Sequence, residues 1–323
     1  MKAAVRARYG PPDVVSVSEV ARPAVKDGEL LVKVHATTVN RTDCALRAAK
    51  PFIWRFFAGL VRPKVTILGN EFAGEVAAVG AGVTSYEVGD KVFGYNDESF
   101  GAHAGYMTIS QDGKLAIMPD GLSYEEAAPS TEGSHYALTI ITTAKVRSGQ
   151  DVLVYGATGA IGSALVQLLH NLGATVTAVC GPKDLELVKS LGASRAVDYT
   201  AGDFTKDAQR YDVVIDAVGK TSFGRCRRLL KPRGVFVAAD LGPWSQNLFL
   251  PLVTPLFGGR RVRFPLPRND PGMARHFKGL IESGAFKPVI DRRYPLDEIL
   301  QAYRYVETGQ KIGNVVISVD HSD

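Results

Sequence analysis

The chain has 323 residues, 46% of them apolar and 22% charged, and a net charge of +5 from 38 basic and 33 acidic residues. This is the composition of a globular protein, too long for a single compact core, so two domains are predicted. No uninterrupted apolar run approaches the ~18 residues needed to span a bilayer, which argues against an integral membrane segment.

Residues 1 to about 123 read as mostly β. Glu29 to Val34 alternates, Gly74 to Val79 runs into a Gly80-Ala81-Gly82 turn, and a Gly89-Asp90 turn leads into a further strand. Short strands with frequent turns predict a barrel-like domain. Between them Pro51 to Pro63 is unusually aromatic, with Phe52, Ile53, Trp54, Phe56 and Phe57. It fits a wall over a hydrophobic substrate, a subunit or membrane-surface contact, or plain core packing.

Mid-chain, the apolar run Val152-Leu153-Val154-Tyr155 breaks into Gly156-Ala157-Thr158-Gly159-Ala160-Ile161-Gly162. Ile161, Leu165, Leu168, Leu169 and Leu172 then recur at helical spacing. A strand, a glycine turn and a helix aim backbone N–H groups and the positive end of the helix dipole at a pyrophosphate. Alanine stands where the common fingerprint has its first glycine, so the turn alone is a weak sign and its context decides. Further strands are predicted at 174–179, 195–199, 212–215, 235–239 and 261–264, with a helix over 184–191 closed by Gly192. This alternation implies a right-handed, doubly wound parallel sheet. Helices over 273–283 and 296–307 and a strand over 315–319 finish the chain, and that strand is expected to return to the N-terminal domain. The expected domains are 1–123, 124–267 and the return segment 268–323.

Cys44, Cys180 and Cys226 are odd in number and far apart, which disfavours a disulfide framework. With no charged-then-apolar leader at the start, a reducing, cytoplasmic compartment is expected. The six histidines show no metal-ligand spacing, and no metal is expected. The basic clusters Arg225-Cys226-Arg227-Arg228 and Gly259-Arg260-Arg261-Val262-Arg263 read as solvated surface. Without a recognition motif, the mild basic balance suits an anionic cofactor and does not predict a nucleic-acid partner.

Several separated segments occur in an order that resembles the medium-chain dehydrogenase/reductase superfamily, in its zinc-free quinone oxidoreductase branch. They are Val39-Asn40-Arg41-Thr42-Asp43, Gly69-Asn70-Glu71-Phe72-Ala73-Gly74-Glu75-Val76, Val88-Gly89-Asp90-Lys91-Val92 and the mid-chain glycine turn. The resemblance implies an α/β fold, a GroES-like β-rich domain plus a Rossmann doubly wound parallel sheet, and a homodimer. Zinc alcohol dehydrogenases of this superfamily carry ligands where this chain has Asn40 and Asn70, and the multi-cysteine lobe is missing from residues 93–118. Without a Lewis acid, oxidation of simple alcohols loses its main charge stabilisation. Hydride transfer to a quinone or an α,β-unsaturated carbonyl remains feasible, since the product delocalises its own charge. The expected activity is therefore a zinc-independent, NADPH-dependent reductase of such a hydrophobic acceptor. The alternatives are an enoyl-thioester reductase or a non-catalytic NADPH-binding protein. A short-chain dehydrogenase is disfavoured because no Tyr-x-x-x-Lys pair occurs.

Asn40 is the expected catalytic-site residue, with Thr42 and Asp43 supporting its loop, although a structural turn role for Asn40 is the competing reading. For the cofactor, Gly156, Gly159 and Gly162 shape the turn, and by resemblance Thr158, Ala160 and Ile161 approach the pyrophosphate. NADPH is preferred because the second strand ends in Cys180-Gly181-Pro182-Lys183 rather than in a carboxylate. By resemblance Gly181, Lys183 and Tyr199 line the 2′-phosphate pocket. A solvated Lys183 and the adjacent Asp184 weigh against that assignment. His135 and Tyr136, where relatives carry a cofactor-touching threonine, read as helix packing. Asn314 replaces a frequent lysine, so a lysine contact from that position is not expected.

Overall fold

The computed structural model describes residues 1–52, 54–257, 259–266 and 269–321. In chain order the strands begin with β1 (Lys2–Arg6), β2 (Val15–Glu19), β3 (Glu29–Val39), β4 (Glu71–Val79), β5 (Lys91–Tyr95), β6 (Tyr106–Ser110) and β7 (Lys114–Ile117). They continue with β8 (Asp151–Tyr155), β9 (Thr175–Cys180), β10 (Arg195–Asp198), β11 (Tyr211–Asp216), β12 (Leu230–Ala238) and β13 (Arg261–Arg263), then β14 (Ile290–Pro295) and β15 (Asn314–Ser318). The helices are α1 (Arg41–Ala48), α2 (Trp54–Ala58), α3 (Tyr124–Ala127), α4 (Glu132–Ala144), α5 (Ala160–Asn171), α6 (Leu185–Ser190), α7 (Phe223–Cys226), α8 (Gln246–Val253), α9 (Met273–Glu282) and α10 (Ile299–Glu307).

The chain forms two compact units, Met1–Glu132 with Asp270–Ser283 and Pro288–Asp323, and Gly133–Asn269 with Gly284–Lys287. In the first, a sheet runs in the order β14-β15-β3-β4-β5-β7, with β6 paired to β3 and a separate β1-β2 ribbon. The C-terminal strand β15 lies antiparallel to β3, Val315 opposite Val39 and Ser318 opposite Ala36. Leu30, Val32, Val34, Phe72, Val76 and Val92 share one buried cluster with Ile299, Tyr303 and Val306 of α10. The alternation along these strands predicts such a face. At the end of α1, Arg47 ion-pairs with Glu307 and Arg6 donates to the Leu46 carbonyl at 2.6 Å, which fixes the helix that carries the candidate catalytic loop.

Residues 124–132 stay with this unit rather than starting the next one, because Ala127 and Ala128 pack into a second cluster with Ala36, Ala73 and Val316. The other expected boundary, 267/268, lies outside the described residues. Ile53 and the side chains of Trp54 and Phe57 do too. Phe52, Phe56, Leu60 and Val61 are exposed, so the core-packing reading does not hold for them.

The second unit is a six-stranded parallel sheet in the order β10-β9-β8-β11-β12-β13. Strand order reverses between β8 and β11, which is where open α/β sheets hold dinucleotides at their carboxyl ends. Its core includes Leu153, Val179, Val214, Leu229, Phe236 and Val262. In α5, Leu165, Leu168 and Leu169 are buried as the periodicity predicts. Leu172 is not, because the helix ends at Asn171 and Leu172 caps it in solvent.

Candidate active site

In the second unit, the strand-to-helix turn is shaped by glycines with separate reasons. Gly156 has φ of +78°, and a Cβ there would come within 2.3 Å of Val218. A Cβ on Gly162 would lie 2.0 Å from the Gly156 carbonyl oxygen and 2.8 Å from Ala157 Cα, so only glycine lets α5 pack this closely on β8. Gly159 caps α5 without a side-chain hydrogen bond. Ser163 N–H donates to the Gly159 carbonyl at 2.8 Å, leaving the N–H groups of Ala160, Ile161 and Gly162 at the open helix end. Thr158 is half-buried beside them.

At the ends of β9 and β10, Tyr199 N–H donates to the Cys180 carbonyl at 3.1 Å. The Tyr199 hydroxyl lies 3.9 Å from where a Gly181 Cβ would stand, and Asp184 Oδ2 lies 3.6 Å from it. The fold thus gathers Gly181 and Tyr199, with exposed Lys183 in the adjoining Pro182–Asp184 turn. It also brings the Asp184 carboxylate to the same spot. His135 and Tyr136 sit together on α4, ring centroids 5.9 Å apart.

In the first unit, Asn40 is the N-cap of α1. Its side chain accepts from Asp43 N–H at 2.9 Å while Asn40 N–H donates to Asp43 Oδ2 at 3.1 Å, a reciprocal capping box. Asp43 also accepts from Gly69 N–H at 3.0 Å and faces His103 at 3.8 Å. His103 is held by the Thr38 carbonyl at 2.7 Å and the Tyr303 hydroxyl at 3.2 Å. Asp43 therefore fastens the loop from within. Burial pushes its carboxyl above the ordinary range, opposed mainly by His103.

The capping box leaves the Asn40 amide nitrogen free to donate to Asn70 Oδ1 at 2.6 Å, and Asn70 Nδ2 donates to Glu132 Oε1 at 3.4 Å. Thr42 also hydrogen-bonds the Glu132 carboxylate. Asn40, Asn70, Glu132 and Thr42 thus form one polar cluster. Behind it, Glu71 accepts from the Thr38 hydroxyl at 2.7 Å, from Thr131 N–H and hydroxyl at 3.0 Å each, and from Glu132 N–H at 2.6 Å. Burial first and the neighbouring Glu71 second push Glu132 up to about 8. Burial lowers the pKa of Lys311, while Glu132 and Glu71 oppose that fall.

Sequence reasoning missed Glu132 as a site residue. Its signal is that it is the only charged residue between Ala127 and Ala144. Lys311, three positions before the Asn314 that replaces a lysine, was equally inconspicuous. A zinc ion does not suit this donor set. Asn40 and Asn70 bond to each other, and carboxamides are not among the usual zinc ligands. Among the described residues, no three His, Cys, Asp or Glu side chains converge as a metal site would need.

Residues 26–121 match the alcohol dehydrogenase GroES-like domain family, and residues 191–317 match the zinc-binding dehydrogenase family. The chain is 34% identical to the 2-methylene-furan-3-one reductase of Solanum lycopersicum, over 98% of this chain and 79% of that protein. It is 31% identical to the chloroplastic NADPH-dependent alkenal/one oxidoreductase of Arabidopsis thaliana, with the same coverage. The solved quinone oxidoreductase from Coxiella burnetii superposes with a TM-score of 0.88 at 27% identity, covering 99% of both chains.

Proposed function

Because this chain belongs to the quinone oxidoreductase branch of the medium-chain dehydrogenase/reductase superfamily, we propose that it is a zinc-independent, NADPH-dependent reductase of a quinone or an α,β-unsaturated carbonyl. The observation that carries this reading is the Asn40–Asn70–Glu132 hydrogen-bond chain, in which two carboxamides bond to each other at the two positions, Asn40 and Asn70, where the resemblance puts zinc ligands. NADPH, when bound, supplies the hydride. The N–H groups at the start of α5 and the Gly156 turn hold its pyrophosphate, and Gly181, Lys183 and Tyr199 receive the 2′-phosphate.

The protein's own part is then to hold the acceptor and settle its charge. Asn40 donates to the acceptor oxygen with the amide hydrogen that Asn70 does not take. Glu132, which burial keeps protonated at neutral pH, holds a proton for the reduced product, and the half-buried Thr42 hydroxyl bonded to it is the exit route. The names of the Solanum lycopersicum and Arabidopsis thaliana relatives, a 2-methylene-furan-3-one reductase and an alkenal/one oxidoreductase, support an enone as the first acceptor to test.

A homodimer through the second unit is part of this proposal. Strand β13 ends the parallel sheet, its Val262 N–H donating to the Thr254 hydroxyl at 3.0 Å, and beside it Phe249, Leu252, Leu256 and Phe257 are 62–81% exposed. The free, buried thiols of Cys44, Cys180 and Cys226 support a reducing, cytoplasmic setting.

The test is NADPH oxidation in chelator-containing buffer with an ortho-quinone and an α,β-unsaturated ketone, with NADH run in parallel. Turnover that survives chelation and prefers NADPH is the expected result. Activity lost on chelation overturns the zinc-independent reading, and a preference for NADH overturns the cofactor assignment. NADPH binding without turnover transfers the chain to the non-catalytic class.

A further inference from the structure

The two basic clusters that read as solvated surface in the sequence are brought together by the parallel sheet. Arg210 immediately precedes β11, Arg227 and Arg228 come just before β12, and Arg260 immediately precedes β13. These are neighbouring strands, so three remote segments deliver four guanidinium groups to the amino ends of one half of the sheet. Together with Gly224 they line a depression of about 430 Å³. That size suits a small ligand.

The arginines are held but not neutralised. Arg228 Nε donates to the Thr205 carbonyl at 2.5 Å, and Arg260 Nε to the Leu230 carbonyl at 2.8 Å. Arg210 Nη1 donates to the carbonyls of Asp207, Ala208 and Gln209 at 2.8–3.1 Å. Backbone oxygens thus orient three of the side chains and leave their positive charge unpaired. The carboxylates nearby in sequence are engaged elsewhere: Asp207 with Arg195 and Tyr211, Asp203 with Thr205 and Arg225, and Asp151 and Asp212 with Lys231. Among the described residues, none of the four guanidinium groups forms an ion pair. Like charges gathered this closely repel one another, and a polyanion relieves that repulsion while guanidinium forks match phosphate oxygens. Among the described residues no aromatic side chain lines the depression to stack a base, which favours a compact anion over a nucleic-acid strand.

We propose that Arg210, Arg227, Arg228 and Arg260 form a second anion site, which takes a small ligand bearing two or more phosphate groups. It is distinct from the glycine turn, because that turn lies at the carboxyl end of β8 and this cluster at the amino ends of β11 to β13.

The test is calorimetric titration of the full chain with inorganic tripolyphosphate, with and without saturating NADPH, on wild type and on R227E and R210Q. Arg227 is exposed and has no side-chain hydrogen bond or ion pair among the described residues, so R227E leaves the fold intact. One tripolyphosphate per chain should bind whether or not NADPH is present, and R227E should weaken it by about tenfold or more, with NADPH affinity unchanged. R210Q should weaken it in the same direction. Absence of binding, wild-type affinity in both variants, or displacement by NADPH would each overturn the proposal. So would binding of a single-stranded RNA oligonucleotide, sensitive to R227E, in a protein that ignores tripolyphosphate, which would give the surface to nucleic acid.

Discussion

Glu132 is a carboxyl that the fold holds in its protonated form. Its value of about 8 stands well above the ordinary carboxylate range of ~4.3, because burial and the neighbouring Glu71 both oppose its ionisation, and Asp43 adds to the effect. The folded state therefore keeps a proton that the unfolded chain releases, so stability should be greatest below about pH 4.5 as far as this group is concerned and should fall steadily up to about pH 8. In E132Q the glutamine oxygen can still accept from Asn70, and the side chain has no charge to exclude. Its stability relative to wild type should rise between pH 5 and pH 8 by on the order of 2–4 kcal/mol, read from denaturant unfolding at both pH values. A constant difference across that range would mean that Glu132 ionises normally. Turnover on an enone should fall in the same variant, with NADPH affinity retained, if Glu132 delivers the product's proton.

At the scale of elements, the glycine turn was legible because two local signals coincide there, an apolar run of strand length and helical periodicity directly behind the glycines. The reason for each glycine was less visible. Gly162 faces backbone atoms, so in G162A the main chain must shift, costing about 1–3 kcal/mol and moving the start of α5 away from the position proposed to hold the pyrophosphate. A lowered melting temperature and an NADPH affinity reduced by tenfold or more are expected. Gly279, in the middle of α9, has open space where a Cβ would stand. G279A should instead stabilise the protein by about 0.5–1 kcal/mol. Equal effects of the two alanines would refute the packing argument. The capping box at Asn40 shows the limit of local reading. The residues Asn40 and Asp43 could be matched to a loop, but the same asparagine's bond to Asn70, thirty residues on, depends on β3 and β4 being neighbours.

For the whole molecule, the exposed apolar side chains beside β13 carry the prediction of assembly. Burying Phe249, Leu252, Leu256 and Phe257 against a second copy would remove a large apolar patch from water. Light scattering after gel filtration should give twice the 34.7 kDa chain mass, and L252D should shift it towards the monomer. A wild-type monomer at micromolar concentration would overturn the dimer. The sequence by itself determined the class of fold, the six strands of the second unit in chain order, and the glycine turn between β8 and α5, since hydrophobic period and glycine placement act over neighbouring residues; α4, α7 and α8 were not legible in it. Only the tertiary structure decided that Glu132 joins Asn40 and Asn70, that residues 124–132 belong to the first unit, that Phe52 and Phe56 face solvent, and that two basic runs share one depression. Each of those outcomes depends on which strands become neighbours and on how far burial suppresses charge, and those are properties of the packed chain.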